Sequence, residues 1–191
     1  MKIYFDGCAK TMGAAIRPHD FNRYTTLLCK KLGAEEYNIA RGGGSNRRIV
    51  RNLLEHDLSN YDLFVIQMSK RERFEWYNKK LGEWRNVCTN VFAPHVGLEK
   101  DYTSGKKEHF QYFYDKVYTD EMGIMDEKIC FTAIKSLLQN KKHVIIFMGN
   151  HECSVPVDFS YRKGKGYQDK FDEIAHKKIY DDIIGHLTTY K

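Results

Sequence analysis

The sequence predicts a three-layer α/β/α domain with a mostly parallel sheet, and two observations carry that prediction. First, the runs at 61–68 and 143–148 have strand length and are apolar almost throughout, which is typical of strands covered on both faces. Second, segments with apolar residues at helical spacing alternate with the strands, which favours parallel pairing with helices on both faces. We therefore expect one flavodoxin-like domain over residues 1–191.

Shorter patterns complete the predicted element order. A buried strand at 3–5 ends at Gly7, and a helix that Asp20 can cap ends at Gly33. The remaining predictions are a strand at 36–40, a helix after the glycine loop 41–46, a β-hairpin inserted at the sheet's edge near 74–87, a loop at 93–105, a helical segment at 108–140 broken near Gly123, a loop at 154–167 and a last helix at about 169–187.

Composition limits the function classes. The chain has 191 residues, 42% of them hydrophobic, which suits one core. No apolar run could span a membrane, and Asp6 interrupts the apolar start, so we expect no signal peptide and a cytoplasmic protein. The five cysteines are odd in number and scattered, which favours reduced thiols. The formal charge of +6 mildly favours an anionic partner, but acids interleave with the basic residues, so there is no clear nucleic-acid signal.

The chemically interesting residues fall in loops at one predicted edge of the sheet. In an open parallel sheet, ligands bind beyond the carboxyl ends of the strands. That rule selects the loops at 6–13, 40–46, 67–73 and 149–170.

Three motifs follow one another in these loops. The first strand runs into Gly7-Cys8-Ala9-Lys10-Thr11, and Gly44-Ser45-Asn46 opens a helix rich in Ile and Arg. The third buried strand is followed by Ser69, Arg73 and Glu75. This ordered set, over about residues 2–90, resembles the SGNH/GDSL hydrolase superfamily, and most of all its small phage-encoded members. A phage origin would place the protein in the host cytoplasm or in the virion.

The resemblance implies ester hydrolysis. In that family a Ser after the first strand attacks the acyl carbon, its own N–H, a Gly N–H and an Asn side chain hold the oxyanion, and a His near the C-terminus takes the proton. Here Ala9 stands at the nucleophile position, and Gln67-Met68-Ser69 replaces the third block. No Asp-x-x-His-Pro precedes the last helix, and aligning His176 there places Lys170 at the catalytic His. We therefore expect hydrolysis to be impaired or to use altered residues, as in a pseudoenzyme.

Four residues are candidates for altered catalysis. Cys8 could attack as a thiolate, although a small buried hydrophobe is the favoured interpretation. Ser45 is a second candidate nucleophile, but a helix N-cap is favoured. His151 lies in a loop at the ligand edge, and His176 lies on the last helix among apolar neighbours that favour a structural role.

A second set of residues suits an oxyanion or another anion. Free N–H groups at a helix start attract phosphate or carboxylate, and arginines follow immediately, although these could equally face solvent. The candidates are Ala9, Gly44, Asn46, Arg47 and Arg73, with Arg48 and Arg51 in the same helix. The alternative function is thus a binding or virion-associated module for an anionic or carbohydrate ligand.

A second resemblance concerns Gly149-Asn150-His151-Glu152, which is similar to a block of calcineurin-like metallophosphatases. In that family the Asn and His bind a two-metal centre that activates water. The partner motifs, Gly-Asp-x-x-Asp and His-x-His, do not occur in this chain. A metal-dependent phosphoesterase is therefore the second alternative, and we expect no metal and no cofactor.

Overall fold

A five-stranded parallel sheet lies at the centre of the protein in a computed structural model, which describes residues 1–13, 22–87, 109–149, 152–162 and 173–189. The strands of the described chain, in order, are β1 (Lys2–Asp6), β2 (Glu35–Asn38), β3 (Leu63–Met68), β4 (Phe74–Asn78), β5 (Glu83–Val87), β6 (His143–Gly149) and β7 (Phe159–Arg162). All of these except β4 and β5 belong to the central sheet. The sheet order is β2-β1-β3-β6-β7, with every neighbouring pair parallel. The predicted mostly parallel sheet is confirmed.

Helices cover both faces of this sheet. They are α1 (Ala9–Met12), α2 (Tyr24–Leu32), α3 (Asn46–Glu55), α4 (Asp120–Leu137) and α5 (Glu173–Thr189), with a 3₁₀ turn at Leu58–Asn60 and a π-helical turn at Phe113–Val117. Helices α2 and α5 pack together on one face, and α3 and α4 pack together on the other. The three predicted layers are therefore present. None of the described helices is long and apolar enough to cross a membrane.

Side-chain alternation along the strands divides the core into two layers. Ile3 and Phe5 of β1 point towards the α2 and α5 side, where Leu28 and Ile179 are buried with them. Tyr4 points the other way and joins a cluster with residues of α3 and α4. Every residue of β3 is buried, because layers cover both of its faces.

Two predicted helix ends are confirmed, and both have a local cause. Ser45 is the N-cap of α3, where its Oγ accepts a hydrogen bond from the backbone N–H of Arg48 at 3.2 Å. Gly33 ends α2 in the left-handed region, with φ +59°.

Two predicted helix boundaries are wrong. Helix α2 begins at Tyr24 after the extended N-cap Arg23, so Asp20, which lies outside the described residues, does not cap it. The break in the 108–140 segment falls at Tyr118 and Thr119 rather than near Gly123. Thr119 is extended and its side chain accepts from Met122 N–H, so it starts a new helix where the glycine only continues one.

Two strand predictions also need correction. The hairpin is present as β4 and β5, but these strands form their own two-stranded sheet and do not extend the central one. The segment at 154–167, predicted to be a loop, contains β7, which pairs with β6 as the outer strand of the sheet. A four-residue strand gives too short a pattern for periodicity to detect.

Candidate functional site

Glycines bring the first two sequence motifs into contact at the carboxyl edge of the sheet. A Cβ atom on Gly44 would lie 2.8 Å from the carbonyl oxygen of Gly7, and one on Gly7 would lie 2.7 Å from Cβ of Gln67. The N–H of Arg41 donates to the same Gly7 oxygen at 3.3 Å. The turn after β1, the glycine loop and β3 therefore approach one another more closely than side chains at these positions would allow.

A buried carboxylate lies directly beneath this contact. Asp6 is fully buried and accepts hydrogen bonds from Nη1 of Arg48 at 2.7 Å and Nδ2 of Asn52 at 2.8 Å. The other guanidinium nitrogen of Arg48 donates to the carbonyl oxygen of Ile39. Burial raises the pKa of Asp6, and the charge of Arg48 together with these hydrogen bonds opposes that rise. The sequence predicts that Arg48 lies beside an anion site, but its guanidinium instead forms an internal ion pair with Asp6.

A second buried network surrounds Cys8. The thiol is 4% exposed and accepts a hydrogen bond from Nε2 of Gln67 at 3.0 Å. Thr11 Oγ1 donates to Oε1 of Gln67 at 2.7 Å and lies 2.9 Å from the hydroxyl of Tyr24. Cys8 is therefore packed and hydrogen-bonded, and the amide of Gln67 organises the turn.

The second and third motifs are tied together through Asn46 and Ser69. Oδ1 of Asn46 accepts from the N–H of Ser69 at 2.7 Å, and its Nδ2 donates to the carbonyl of the same residue at 3.2 Å. Ser69 Oγ donates to the Gly44 carbonyl at 2.6 Å and accepts from Nη1 of Arg73 at 3.0 Å. The N–H of Gly44 donates to the carbonyl of Arg41 at 2.9 Å. The Oδ1 and one N–H of the Asn46 amide, and the N–H of Gly44, are therefore used within the protein.

Ala9 and Lys10 begin α1 at this edge. Ala9 is partly exposed, and its side chain is a methyl group. Nζ of Lys10 lies 3.5 Å from the carbonyl oxygen of Met148, at the end of β6. The turn after β1 therefore presents an ammonium group, but no hydroxyl, to the carboxyl edge of the sheet.

Of the two candidate histidines, only His176 lies in the described part of the chain. His176 on α5 is fully buried, its Nδ1 accepts from the N–H of Tyr24 at 3.1 Å, and the two rings stack with centroids 5.8 Å apart. His151 lies outside the described residues, as does Asn150. Within the described part of the chain, no histidine is hydrogen-bonded to Cys8 or Ser45.

Arg47 points away from the glycine loop. Its Nε and Nη2 each lie 2.6 Å from Oδ1 of Asp126 on α4, and its side chain is 63% exposed. The remaining candidates, Cys8, Ala9, Gly44, Asn46 and Arg73, belong to the joined turns at the carboxyl edge. Asp6, Asn52 and Gln67 also shape this edge, but the sequence alone does not reveal their contacts, because these link positions far apart in the chain.

No metal site is evident in the ranges that the structure describes, since they hold no group of three or more His, Cys, Asp or Glu side chains that could bind an ion. The proposed metallophosphatase block lies partly outside those ranges.

Comparison with known proteins gives a structural likeness. No protein-family model and no curated protein matches the sequence. One similar solved structure is a carbohydrate esterase whose active site displays divergent catalytic and non-catalytic binding functions, at 13% identity over 98% of this chain and 68% of that one, with a TM-score of 0.53. Another is a family two carbohydrate esterase from Clostridium thermocellum in complex with cellohexaose, at 10% identity over 99% and 64% of the two chains, with a TM-score of 0.50.

The likeness covers only part of the length of the similar proteins and concerns the fold. The chain spans 57% of the length of a third similar protein, the acetyl xylan esterase AlAXEase, which matches 76% of this chain at 16% identity with a TM-score of 0.41. At these identities the two better matches establish the fold alone. The chain shares its α/β fold, a mostly parallel sheet flanked by helices, with these two carbohydrate esterases.

Proposed function

We propose that this protein is an SGNH-fold binding protein in which ester hydrolysis is impaired, and that the carboxyl edge of its sheet takes an anionic or carbohydrate ligand. The observation that carries the proposal is the state of the groups that acyl transfer would need. In the resemblance to SGNH hydrolases, Ala9 stands at the position of the nucleophile, and its side chain has no hydroxyl to attack with.

The neighbouring nucleophiles do not replace it in the described structure. Ser45 is fully buried, and its Oγ caps α3. Cys8 is 4% exposed and hydrogen-bonded to Gln67. A nucleophile needs access to the acyl carbon and a base within hydrogen-bond reach, and neither residue has both here.

Two of the three oxyanion donors that the resemblance implies are hydrogen-bonded within the protein. Oxyanion stabilisation requires N–H groups aimed at the developing charge, and removing one donor costs about 2.7–4 kcal/mol. The Gly44 N–H donates to Arg41, and the Asn46 side chain donates to Ser69. Hydrolysis through the Gly44 N–H would first require its hydrogen bond to Arg41 to break.

Binding does not need these groups. Lys10 in the first turn of α1 and the partly exposed Arg73 after β3 both lie at this edge, and either could receive a carboxylate, a phosphate or sugar hydroxyls. One structurally similar carbohydrate esterase has an active site with both catalytic and non-catalytic binding functions, which is a precedent for such a division.

Two measurements test the proposal. We expect wild-type protein to hydrolyse p-nitrophenyl acetate at the background rate. A rate that scales with protein concentration and is lost in Cys8→Ser or Ser45→Ala would contradict the impaired chemistry. We also expect phosphate or xylo-oligosaccharides to raise the melting temperature of the wild type, and Arg73→Gln to reduce that rise.

Lys128→Gln is the matched control for charge. Lys128 is exposed on α4, and its substitution removes one positive charge away from the proposed binding edge. If Arg73→Gln and Lys10→Gln respond to every ligand as Lys128→Gln does, the binding edge is misplaced.

A further inference from the structure

A basic pocket lies at the amino edge of the sheet, opposite the edge that carries Ala9. Its volume is about 420 Å³, within the range of about 300–1,000 Å³ that small-molecule sites have. Helices α4 and α5 cover opposite faces of the sheet, and groups from both meet here around the start of β6. The lining side chains include Lys135, Lys141, Lys142, His143, Asp158 and His186. The proposed function uses none of them.

Hydrogen bonds fix the backbone around the pocket. The carbonyl oxygen of Lys142 accepts from the N–H of Phe64 on β3 at 3.0 Å. The N–H of Asp158 donates to the carbonyl of Ile145 at 2.8 Å, and Oδ2 of Asp158 accepts from the N–H of the same residue at 2.7 Å. The charged side chains therefore extend from a preorganised edge, which lowers the entropic cost of binding.

His143 holds one ammonium group at the pocket without neutralising it. Its Nδ1 lies 2.8 Å from the carbonyl oxygen of Lys141, which can only accept, so Nδ1 carries the proton. Its Nε2 lies 2.8 Å from Nζ of Lys135, whose N–H groups can only donate, so Nε2 accepts. The imidazole is neutral in this arrangement, and Lys135 keeps its full charge. Since the described residues give Nζ of Lys135 no further partner, two of its three N–H donors remain for a ligand.

Positive charge exceeds negative charge in the pocket. Among the described residues, none of its three lysines belongs to an ion pair. Asp158 is the acid that lines the pocket, and it is hydrogen-bonded to the backbone of β6. The exposed Asp57 also faces Lys141, but hydrogen bonds from Ser59 lower its pKa first and Lys141 does so last. Solvent screens such an exposed pair strongly.

Helix α5 contributes an imidazole and no uncompensated acid. The ring of His186 packs edge-on against Phe159, with centroids 5.5 Å apart. Asp182, one turn earlier on α5, accepts from Nζ of Lys178 at 2.9 Å and from the hydroxyl of Tyr161 at 2.8 Å. Its charge is therefore paired within the helix and leaves the lysines of the pocket uncompensated.

The chemistry of these donors favours a phosphoryl group. An ammonium group binds phosphate as a point charge, whereas a planar carboxylate is best matched by the fork of an arginine. The described lining residues include three lysines and no arginine. Three ammonium groups against one carboxylate suit an anion with a charge of about −2, which a phosphate monoester carries at neutral pH. The positive charge is confined to one pocket and does not form the stripe that a nucleic-acid backbone requires.

We propose that this pocket binds a single phosphoryl group, either as free phosphate or in a phosphate monoester of a small molecule. Lys135, Lys141 and Lys142 supply the positive charge, and His143 positions the first of them. The inference goes beyond the proposed function, because this pocket and the Ala9 edge lie at opposite ends of the strands.

Calorimetry with inorganic phosphate and glycerol 3-phosphate, at an ionic strength held constant with sodium chloride, tests the pocket. We expect saturable binding that is about tenfold weaker in Lys135→Gln and in Lys142→Gln, because each loses a charge-assisted hydrogen bond. In proton NMR, the Cε1–H resonance of His143, identified by its absence in His143→Gln, should shift with the same affinity. Tighter binding of glycerol 3-phosphate would support a monoester as the ligand, and tighter binding of inorganic phosphate would support the free ion.

Lys128→Gln is the matched control, because Lys128 is exposed earlier on the same helix, and its affinity should equal that of the wild type. An equal loss in Lys128→Gln and Lys135→Gln would overturn the pocket, since it would show an effect of overall charge. Phosphate binding that Arg73→Gln abolishes and Lys135→Gln leaves intact would overturn the pocket and sustain the carboxyl edge. The reverse pattern would sustain the pocket and remove phosphate from the ligands of that edge.

Two further results would overturn the proposal. One is a wild type that binds neither probe at about 10 mM. The other is oligothymidylate that binds more tightly than both probes and loses that affinity in Lys135→Gln, because the pocket would then belong to a polyanion surface.

Discussion

Replacing Arg48 with Met is the perturbation that most sharply tests the buried architecture beneath the site. The substitution keeps much of the side-chain volume and removes the charge that faces Asp6. Asp6 is fully buried, so its carboxylate would remain in the interior with Asn52 and the N–H of Gly7 as hydrogen-bond donors and no counter-ion. Removing one partner of a buried ion pair costs about 3–5 kcal/mol.

Urea denaturation of Arg48→Met should therefore show a loss of about 3–5 kcal/mol in the free energy of unfolding. Each 1 kcal/mol lowers the melting temperature by about 2–4 °C in a chain of this size. Arg47→Met is the control on the neighbouring position, because its pair with Asp126 is exposed and such pairs contribute about 0–1 kcal/mol. A loss in Arg48→Met no larger than that in Arg47→Met would show that the buried pair of Arg48 with Asp6 does not stabilise the fold.

The pH dependence of this loss has a definite sign. The folded-state pKa of Asp6 is raised by burial, so the folded state holds its proton more tightly than the unfolded chain does. Protonation of Asp6 therefore increases the free energy of unfolding as the pH falls from above its folded-state pKa to its unfolded-state pKa. This extra stability is lost as the pH rises through the folded-state pKa. The cost of Arg48→Met should be largest above the folded pKa and shrink below it. Asp6→Asn combined with Arg48→Met should remove that dependence.

Two further variants test the contacts that join the loops. Gly44→Ala should destabilise the fold by about 1–3 kcal/mol in urea, because its Cβ would lie 2.8 Å from the Gly7 oxygen, and an unchanged midpoint would show that the loop can move aside. Gln67→Leu should cost about 1–3 kcal/mol and speed the reaction of Cys8 with a disulfide reagent, since Thr11 and the thiol lose their shared partner. Cys8→Ser is the control: the difference in total thiol reaction rate between proteins with and without Cys8 is the contribution of Cys8. Equal rates with and without Cys8 would contradict the predicted effect on this thiol.

The long elements could be predicted from the sequence because their patterns are local. Strand β3 is apolar at nearly every position, and burial on both faces is the direct consequence. Ser45 before an apolar helix predicts an N-cap, and the structure has one. Strand β7 has four residues and takes its partner from β6, so its own sequence carries little evidence of it.

The polar contacts of the site could not be predicted, because they depend on the fold. Asp6 and Asn52 are 46 positions apart, and Cys8 and Gln67 are 59 apart. Only the parallel pairing of β1 and β3 brings the last two together. Arg48 illustrates the difficulty. Its place in a first helical turn suggests a ligand contact, but its guanidinium pairs with the buried carboxylate of Asp6 at the end of β1.

We propose that this chain has an esterase-like fold with a binding edge that does not hydrolyse its ligand. Proton NMR of acetylated xylo-oligosaccharide mixed with the protein tests both parts in one sample. We expect broadened or shifted oligosaccharide resonances, and acetyl signals that stay those of the ester at every protein concentration. Free acetate that accumulates in proportion to the protein would contradict it.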